Sequence, residues 1–235
     1  MSVKENIALI KHRIADVAAK AGREAEEIRL MAVTKTFGPK QIREAYKAGL
    51  RLFGENRVQE YAAKVGQLGD LADAEWHMIG HLQSNKASKA VELFAAVDSV
   101  DSLRLAERLN AAAGGRGKKL QVLIEINVGG EAAKSGVDPE SEELWQLLEA
   151  APQWTNLEVR GLMTVPPLND DPRSARPFFR RLRELRDQVA TRKLPSISME
   201  VLSMGMSHDF EVAIEEGSTC VRLGTAIFGV RPKLT

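Results

Sequence analysis

Lys35 directly follows the first strongly apolar run of the sequence, residues 30–33 and Thr34. An ammonium group at such a position loses part of its hydration, and desolvation lowers the pKa of an amine. A deprotonated amine attacks carbonyl carbons, which is the chemistry of Schiff-base lysines. The same residues are equally compatible with a lysine whose ammonium reaches solvent beyond the strand. Lys35 is therefore either a carbonyl nucleophile or a lysine at the surface.

Two turns near the end of the sequence carry groups that suit a phosphate ester. Ser203, Gly205 and Ser207 alternate along one turn, and Gly224 and Thr225 form the other. Hydroxyl groups and approachable backbone N–H groups are common phosphate ligands, and a helical pattern follows the first turn. A turn that only reverses the chain explains either segment by itself. Two such turns together favour an anion site.

Arg222 is expected to point into the fold. Side chains alternate along a strand, so Arg222 shares a face with Cys220 and Gly224, while the apolar opposite face is expected to meet helices. A buried guanidinium needs acceptors, such as the Glu125 carboxylate, a phosphate oxygen or a heteroaromatic ring nitrogen. An internal structural ion pair is equally compatible with the sequence.

Composition and spacing argue against several other functions. The 33 Lys and Arg balance 32 Asp and Glu, so no nucleic-acid or membrane partner is predicted. His77 and His81 straddle a strand end without a carboxylate in a ligand pattern, so we predict no metal site and interpret them as a structural and a mouth histidine. The single cysteine and the absence of a targeting or membrane-spanning segment predict a cytoplasmic protein.

Short apolar runs alternate with amphipathic stretches through the chain, which is typical of βαβ units with a parallel sheet. A lead-in helix over 3–21 comes first, with Ile7, Ile10 and Ile14 at helical spacing. The eight predicted strands are 28–35, 52–56, 75–80, 95–100, 120–128, 157–165, 197–204 and 220–228. The intervening helices are predicted to begin near residues 39, 57, 84, 102, 139, 171 and 210.

Eight βα units in 235 residues predict an α/β fold of the (β/α)₈ TIM-barrel type. A doubly wound sheet would normally carry a glycine-rich phosphate turn after the first strand, and the sequence after Lys35 lacks one. No linker or low-complexity segment divides residues 1–235, so we predict one domain. In such barrels the strands' C-terminal ends carry the functional groups, which would bring the residues above together.

Six segments in order resemble the pyridoxal 5′-phosphate (PLP) homeostasis protein family, a one-domain relative of the alanine racemase N-terminal barrel. They are residues 32–36, 53–60, 76–86, 161–164, 202–207 and 221–229. The resemblance implies a fold-type III PLP barrel in which Lys35 holds PLP as a Schiff base and Arg222 lies against the pyridine nitrogen. It implies that Ser207, Gly224 and Thr225 hold the phosphate with support from Ser203 and Gly205, and that Asn56, His81 and Met163 line the cofactor.

The family resemblance implies a PLP carrier without established catalytic turnover, which buffers or supplies the cofactor. Its partners would be PLP and apo forms of PLP-dependent enzymes. We expect a monomer, since no large exposed apolar patch can be read from the sequence. A PLP-dependent racemase or lyase of low activity and a Schiff-base aldolase without PLP are the alternatives. Tyr46 and Tyr61, the only tyrosines, fall in predicted helices away from the barrel mouth, which disfavours a racemase.

Overall fold

The computed structural model describes residues 1–131 and 134–230, and it contains a closed barrel of eight parallel strands. Each strand pairs with the next one along the chain, and the last pairs with the first. The strands are β1 (Arg29–Val33), β2 (Leu52–Glu55), β3 (Glu75–Met78), β4 (Ala96–Val100), β5 (Leu120–Glu125), β6 (Leu157–Met163), β7 (Ile197–Ser203) and β8 (Cys220–Leu223). The predicted (β/α)₈ barrel is confirmed.

Helices follow the strands and cover the outside of the barrel. The α-helices are α1 (Val3–Lys20), α2 (Pro39–Lys47), α3 (Val58–Lys64), α4 (Ala87–Leu93), α5 (Leu103–Gly114), α6 (Glu142–Ala150), α7 (Arg176–Thr191), α8 (Phe210–Glu215) and α9 (Thr225–Phe228). The lead-in helix α1 starts with a capping box, in which Ser2 and Glu5 exchange side-chain to backbone hydrogen bonds. None of the helices among the described residues combines the length and the apolar composition that a membrane-spanning segment requires.

The alternation of side chains along the strands separates two hydrophobic clusters. Met31, Val33, Leu52, Ile79 and Cys220 pack together as a small cluster inside the barrel. The intervening strand residues belong to the larger cluster that the helices cover, and Val221 and Leu223 are among them. The prediction that the apolar face of β8 meets the helices, and that Cys220 and Arg222 face the other way, is confirmed.

Several strands are shorter than predicted, and β8 differs most. It ends at Leu223, and residues 225–228 form the short helix α9 instead of continuing the strand. The reason is local hydrogen bonding, since the amides of Ile227 and Phe228 both donate to the carbonyl of Gly224. The helix predicted to begin near residue 139 begins at Glu142, where the Ser141 hydroxyl caps it.

Candidate functional site

Residues at or just after the C-terminal ends of β1, β2, β3, β6, β7 and β8 line a cavity of about 330 Å³. It is lined by Val33, Lys35, Asn56, Ile79, Val165, Leu168, Met206, Ser207, His208, Arg222, Gly224 and Thr225. Six of these are predicted site residues: Lys35, Asn56, Ser207, Arg222, Gly224 and Thr225. The parallel strands bring them together although nearly 190 positions separate the first and last in sequence. The volume is at the lower end of the range for small-molecule sites.

Lys35 lies in the tight turn between β1 and α2. The amide of Phe37 donates to the carbonyl of Thr34, at 3.1 Å between nitrogen and oxygen, and closes the turn around Lys35. Thr36 has a φ of 66°, in the left-handed region that β-branched residues rarely adopt. The Thr34 hydroxyl donates to the carboxylate of Glu55 on the neighbouring strand. Hydrogen bonds of Thr34 and Phe37 therefore hold the backbone on both sides of Lys35.

Arg222 is almost fully buried, with 4% of its surface exposed, and it forms part of the cavity wall. Its guanidinium donates to the Ser203 hydroxyl and to the Thr164 carbonyl, both at 2.7 Å. Neither acceptor carries a charge, and burial lowers the pKa of Arg222, with Cys220, Asp98, Glu125 and Asp209 opposing that shift. The site therefore places a desolvated cation with hydrogen-bond donors at the cavity wall.

Ser207 connects the two turns that are predicted to bind phosphate. Its Oγ accepts from the amides of Gly224 (3.3 Å) and Ala226 (3.2 Å). A serine hydroxyl accepts two hydrogen bonds and donates one, so its proton remains available to an acceptor. Gly224 lies beside the end of β1, because a Cβ there would be in ordinary van der Waals contact, at 3.4 Å, with the carbonyl oxygen of Val33. The backbone and one hydroxyl thus converge on one corner of the cavity.

Four predicted site residues do not line the cavity. Ser203 and Met163 are fully buried in the adjoining strands, and the Ser203 hydroxyl is taken by Arg222. Gly205 has a φ of +95°, and a Cβ there would be 2.6 Å from the Cβ of Ala213, so a glycine allows the turn to pack on α8. The imidazole of His81 lies in a neighbouring cleft, is 57% exposed and faces Asp101.

Six other residues line the cavity without having been predicted. Five of them are apolar: Val33, Ile79, Val165, Leu168 and Met206. In sequence they are indistinguishable from core residues, although they stand at or just after strand ends. The sixth, His208, follows Ser207 directly, and its Nε2 donates to the carbonyl of Asp170 at 3.0 Å. The signal in the sequence that could have indicated His208 is its position next to Ser207, in a turn that is predicted to bind phosphate.

Glu125 adds a titratable group to the interior of the barrel. Burial, together with the charge of Asp101, raises the pKa of this carboxyl to about 7, although Arg222 opposes the shift. Its Oε2 is buried and has no hydrogen-bond partner among the described residues. Arg222 therefore interacts with Glu125 through its charge without a hydrogen bond. The hydrogen bonds of the Arg222 guanidinium go to Ser203 and Thr164.

His77 belongs to the opposite, N-terminal end of the barrel. Its Nε2 lies 2.8 Å from a Glu75 oxygen, and its Nδ1 lies 3.0 Å from Asp98. The ring is buried and paired on both sides, as expected for a structural histidine. The described residues contain no group of three or more His, Cys, Asp or Glu side chains that could hold a metal ion.

The donors of the cavity fit a phosphorylated aromatic aldehyde such as PLP. Ser207 and the β8–α9 turn offer donors for a phosphate at one side, and the Lys35 amine is suited to an aldehyde carbon. Arg222 suits a ring nitrogen, and its side chain belongs to the same wall. The Oδ1 of Asn56 is buried without a partner among the described residues, which leaves an acceptor for a donor on the ligand.

Comparison with known proteins gives one consistent family. The model described as "Alanine racemase, N-terminal domain" matches residues 6–232. The pyridoxal phosphate homeostasis protein of Aquifex aeolicus is 45% identical over 231 residues, covering 98% of this chain and 99% of the relative. The protein of the same name from Pseudomonas aeruginosa is 44% identical over 98% of this chain and 96% of its own length.

Two solved structures are also similar to this chain. PipY of Synechococcus elongatus, in a structure with PLP bound, is 37% identical with a TM-score of 0.85, covering 97% of this chain and 100% of that chain. The alanine racemase of Streptomyces coelicolor has a TM-score of 0.73 at 22% identity, and the match covers 96% of this chain and 59% of the racemase. At that identity the second similarity concerns the fold alone.

Proposed function

Because this chain belongs to the pyridoxal phosphate homeostasis protein family, we propose that it binds PLP at the barrel mouth and serves in PLP homeostasis. One observation carries the proposal: Lys35, Ser207 and Arg222 line a single cavity that has room for a small cofactor. PipY, a 37% identical relative, has been solved with PLP bound, which supports the cofactor's identity. The protein would store the cofactor and release it to apo forms of PLP-dependent enzymes.

Lys35 is proposed as the covalent anchor. PLP supplies an aldehyde, and condensation with the Lys35 amine forms a carbon–nitrogen double bond and releases water. The bond is reversible by hydrolysis, so the anchor retains the cofactor without trapping it. Ser207, Gly224 and Thr225 would bind the phosphate, and Asn56 offers its buried Oδ1. Met163, Ser203 and Gly205 would support these groups from behind the cavity wall.

Arg222 is proposed to face the pyridine nitrogen, and its charge bears on catalysis. A guanidinium there disfavours protonation of the nitrogen, whereas a carboxylate would favour it. An unprotonated ring stabilises a carbanion less well, which reduces its capacity as an electron sink. The buried position of Arg222, with donors pointing at Ser203 and Thr164, keeps the cation fixed. These features favour carriage of the cofactor over turnover.

The positions of the two tyrosines also favour a role without catalysis. Racemisation needs an acid or base on each face of the cofactor. Tyr46 donates to Asp73 on the outside of the barrel, and Tyr61 is buried against Trp76. Neither lines the cavity.

We propose that the chain acts as a single-domain monomer in the cytoplasm, where a lone thiol such as Cys220 remains reduced.

A direct test is transfer of the cofactor. The protein is loaded with PLP, freed of excess ligand and mixed with an apo PLP-dependent enzyme, and the recovery of enzyme activity is followed. We expect the enzyme activity to recover at a rate that increases with the concentration of the loaded protein. Incubation with amino acids in deuterated water is the complementary test. Deuterium incorporation at Cα that Lys35→Ala abolishes would contradict the non-catalytic proposal and favour the racemase alternative.

A further inference from the structure

Lys64, the last residue of α3, lies beneath the turn that carries Lys35. Its side chain is only 9% exposed. The ammonium donates to the carbonyl of Thr34 at 3.0 Å and to the carbonyl of Phe37 at 3.3 Å. These two carbonyls flank Lys35 and Thr36, so one cation bridges the start and the end of the turn.

Two carboxylates complete this cluster. The Lys64 ammonium lies 2.7 Å from Glu55 Oε1 and 3.3 Å from Glu60 Oε1. Glu60 Oε1 also accepts from the amide of Thr36 at 2.5 Å. Burial raises the pKa of Glu55, and Lys64 and the Thr34 hydroxyl oppose that shift. The turn is therefore held through its carbonyls by Lys64 and through the Thr36 amide by Glu60.

The turn needs such support because its backbone is strained. Thr36, next to Lys35, has a φ of 66°, and a β-branched residue in this region persists only when its surroundings over-determine it. A relaxed Thr36 would rotate the peptide that it shares with Lys35 and redirect the Lys35 side chain. Lys64, Glu55 and Glu60 do not line the cavity, so their effect on a ligand must pass through the turn.

We propose that Lys64 is a positioning residue, which holds residues 34–37 in the conformation that presents the Lys35 amine to the cavity. This inference rests on the proposed function of Lys35 as the covalent anchor. Imine formation requires the amine to approach the aldehyde carbon along a narrow range of directions. Lys64 thereby shifts the equilibrium between covalently held and merely associated PLP toward the covalent state.

The decisive variant is Lys64→Met, which keeps a long side chain and removes the ammonium. Lys118 offers a matched control elsewhere in the barrel. Its ammonium also donates to two backbone carbonyls, those of Val91 (3.0 Å) and Phe94 (2.5 Å), at the end of α4. Lys118→Met therefore removes the same kind of bridge away from the cavity. The double variant Lys64→Met/Glu55→Gln removes the unpaired buried carboxylate that the single change leaves behind.

Two readouts separate positioning from general stability. The first is hydrogen exchange of the backbone amides at Thr36 and Phe37 in the protein without cofactor. The second is the visible absorbance of the Schiff base during titration with PLP. In Lys64→Met and in the double variant, we expect the exchange rates of these amides to rise at least tenfold. We expect the equilibrium constant for Schiff-base formation to fall at least tenfold. In Lys118→Met both quantities should stay at the wild-type value, even when its melting temperature falls equally.

Wild-type Schiff-base formation in both Lys64 variants would overturn the proposal, and so would wild-type exchange at Thr36 and Phe37. Equal weakening in Lys118→Met would also overturn it, because stability alone would then explain the effect. If the wild-type protein forms no Schiff base on Lys35, the proposed function fails. The exchange measurement would still report whether Lys64 holds the turn, so the two failures are distinguishable.

Discussion

Replacement of Ser207 by alanine should weaken PLP binding through the phosphate alone. The Ser207 Oγ accepts from the amides of Gly224 and Ala226, which leaves its proton to donate to an acceptor in the cavity. A phosphate oxygen is the acceptor that the proposed binding mode places there. Alanine removes that donor and leaves the two amides without their acceptor.

The size of the effect follows from the charge of the acceptor. A hydrogen bond to a charged group contributes about 1.5–3 kcal/mol. Since about 1.4 kcal/mol corresponds to a tenfold change in affinity, Ser207→Ala should weaken PLP binding by about 10- to 150-fold. Pyridoxal has the same ring and aldehyde but no phosphate, so its affinity should stay nearly constant.

Absorbance titration of wild type and Ser207→Ala with PLP and with pyridoxal measures all four affinities. Ser141→Ala is a matched control, because its hydroxyl also accepts from a backbone amide, that of Leu144 at the start of α6, outside the cavity. It should bind both ligands as the wild type does. An equal loss of affinity for PLP and pyridoxal in Ser207→Ala would refute the phosphate assignment, as would an unchanged affinity for PLP.

Three further predictions concern stability. Burial disfavours the charged form of His77, but Asp98 and Glu75 outweigh this and raise its pKa from 6.5 to about 9. The resulting stabilisation, on the order of 3 kcal/mol, is fully present below the unfolded pKa of 6.5 and is lost as the pH rises through about 9. Urea unfolding across this range should show the decline in the wild type, and an equal decline in His77→Gln would contradict it. Gly205→Ala should destabilise the fold by about 3 kcal/mol through strain and overpacking, whereas Gly69→Ala, with open space around it, should change the melting temperature little. Lys35→Ala should leave unfolding without cofactor within about 0.5 kcal/mol of wild type, since it removes a residue at the mouth and no core volume; a larger loss in thermal unfolding would argue for a structural role of Lys35.

The barrel could be predicted because its strands and helices have different periods of apolar residues. Burial on both faces gives the strands their continuous apolar runs, and the amphipathic helices return the chain between them. The end of β8 could not be predicted in this way. Residues 225–228 continue the apolar run, but the backbone turns into α9 because the carbonyl of Gly224 accepts two helical hydrogen bonds.

The polar part of the site could be predicted because strand ends in a parallel barrel converge. Lys35, Ser207 and Arg222 were found this way, Asn56 was implied by the family resemblance, and all four line one cavity. The apolar residues that line the cavity were not predicted, because Leu168 and the other apolar lining residues look like core residues in the sequence. The contacts of Lys64 were equally invisible, because they depend on the path of the turn after β1.

The proposed function depends on Lys35, which is expected to hold PLP as a Schiff base. The most direct measurement is the visible absorbance of the purified protein with PLP, followed by borohydride reduction and mass mapping of the modified peptide. We predict an absorbance band of an imine and a single phosphopyridoxyl adduct on Lys35, both absent from Lys35→Ala. No band, or adducts spread over surface lysines, would rule out Lys35 as the anchor of PLP and favour a Schiff-base enzyme that acts on another phosphorylated substrate.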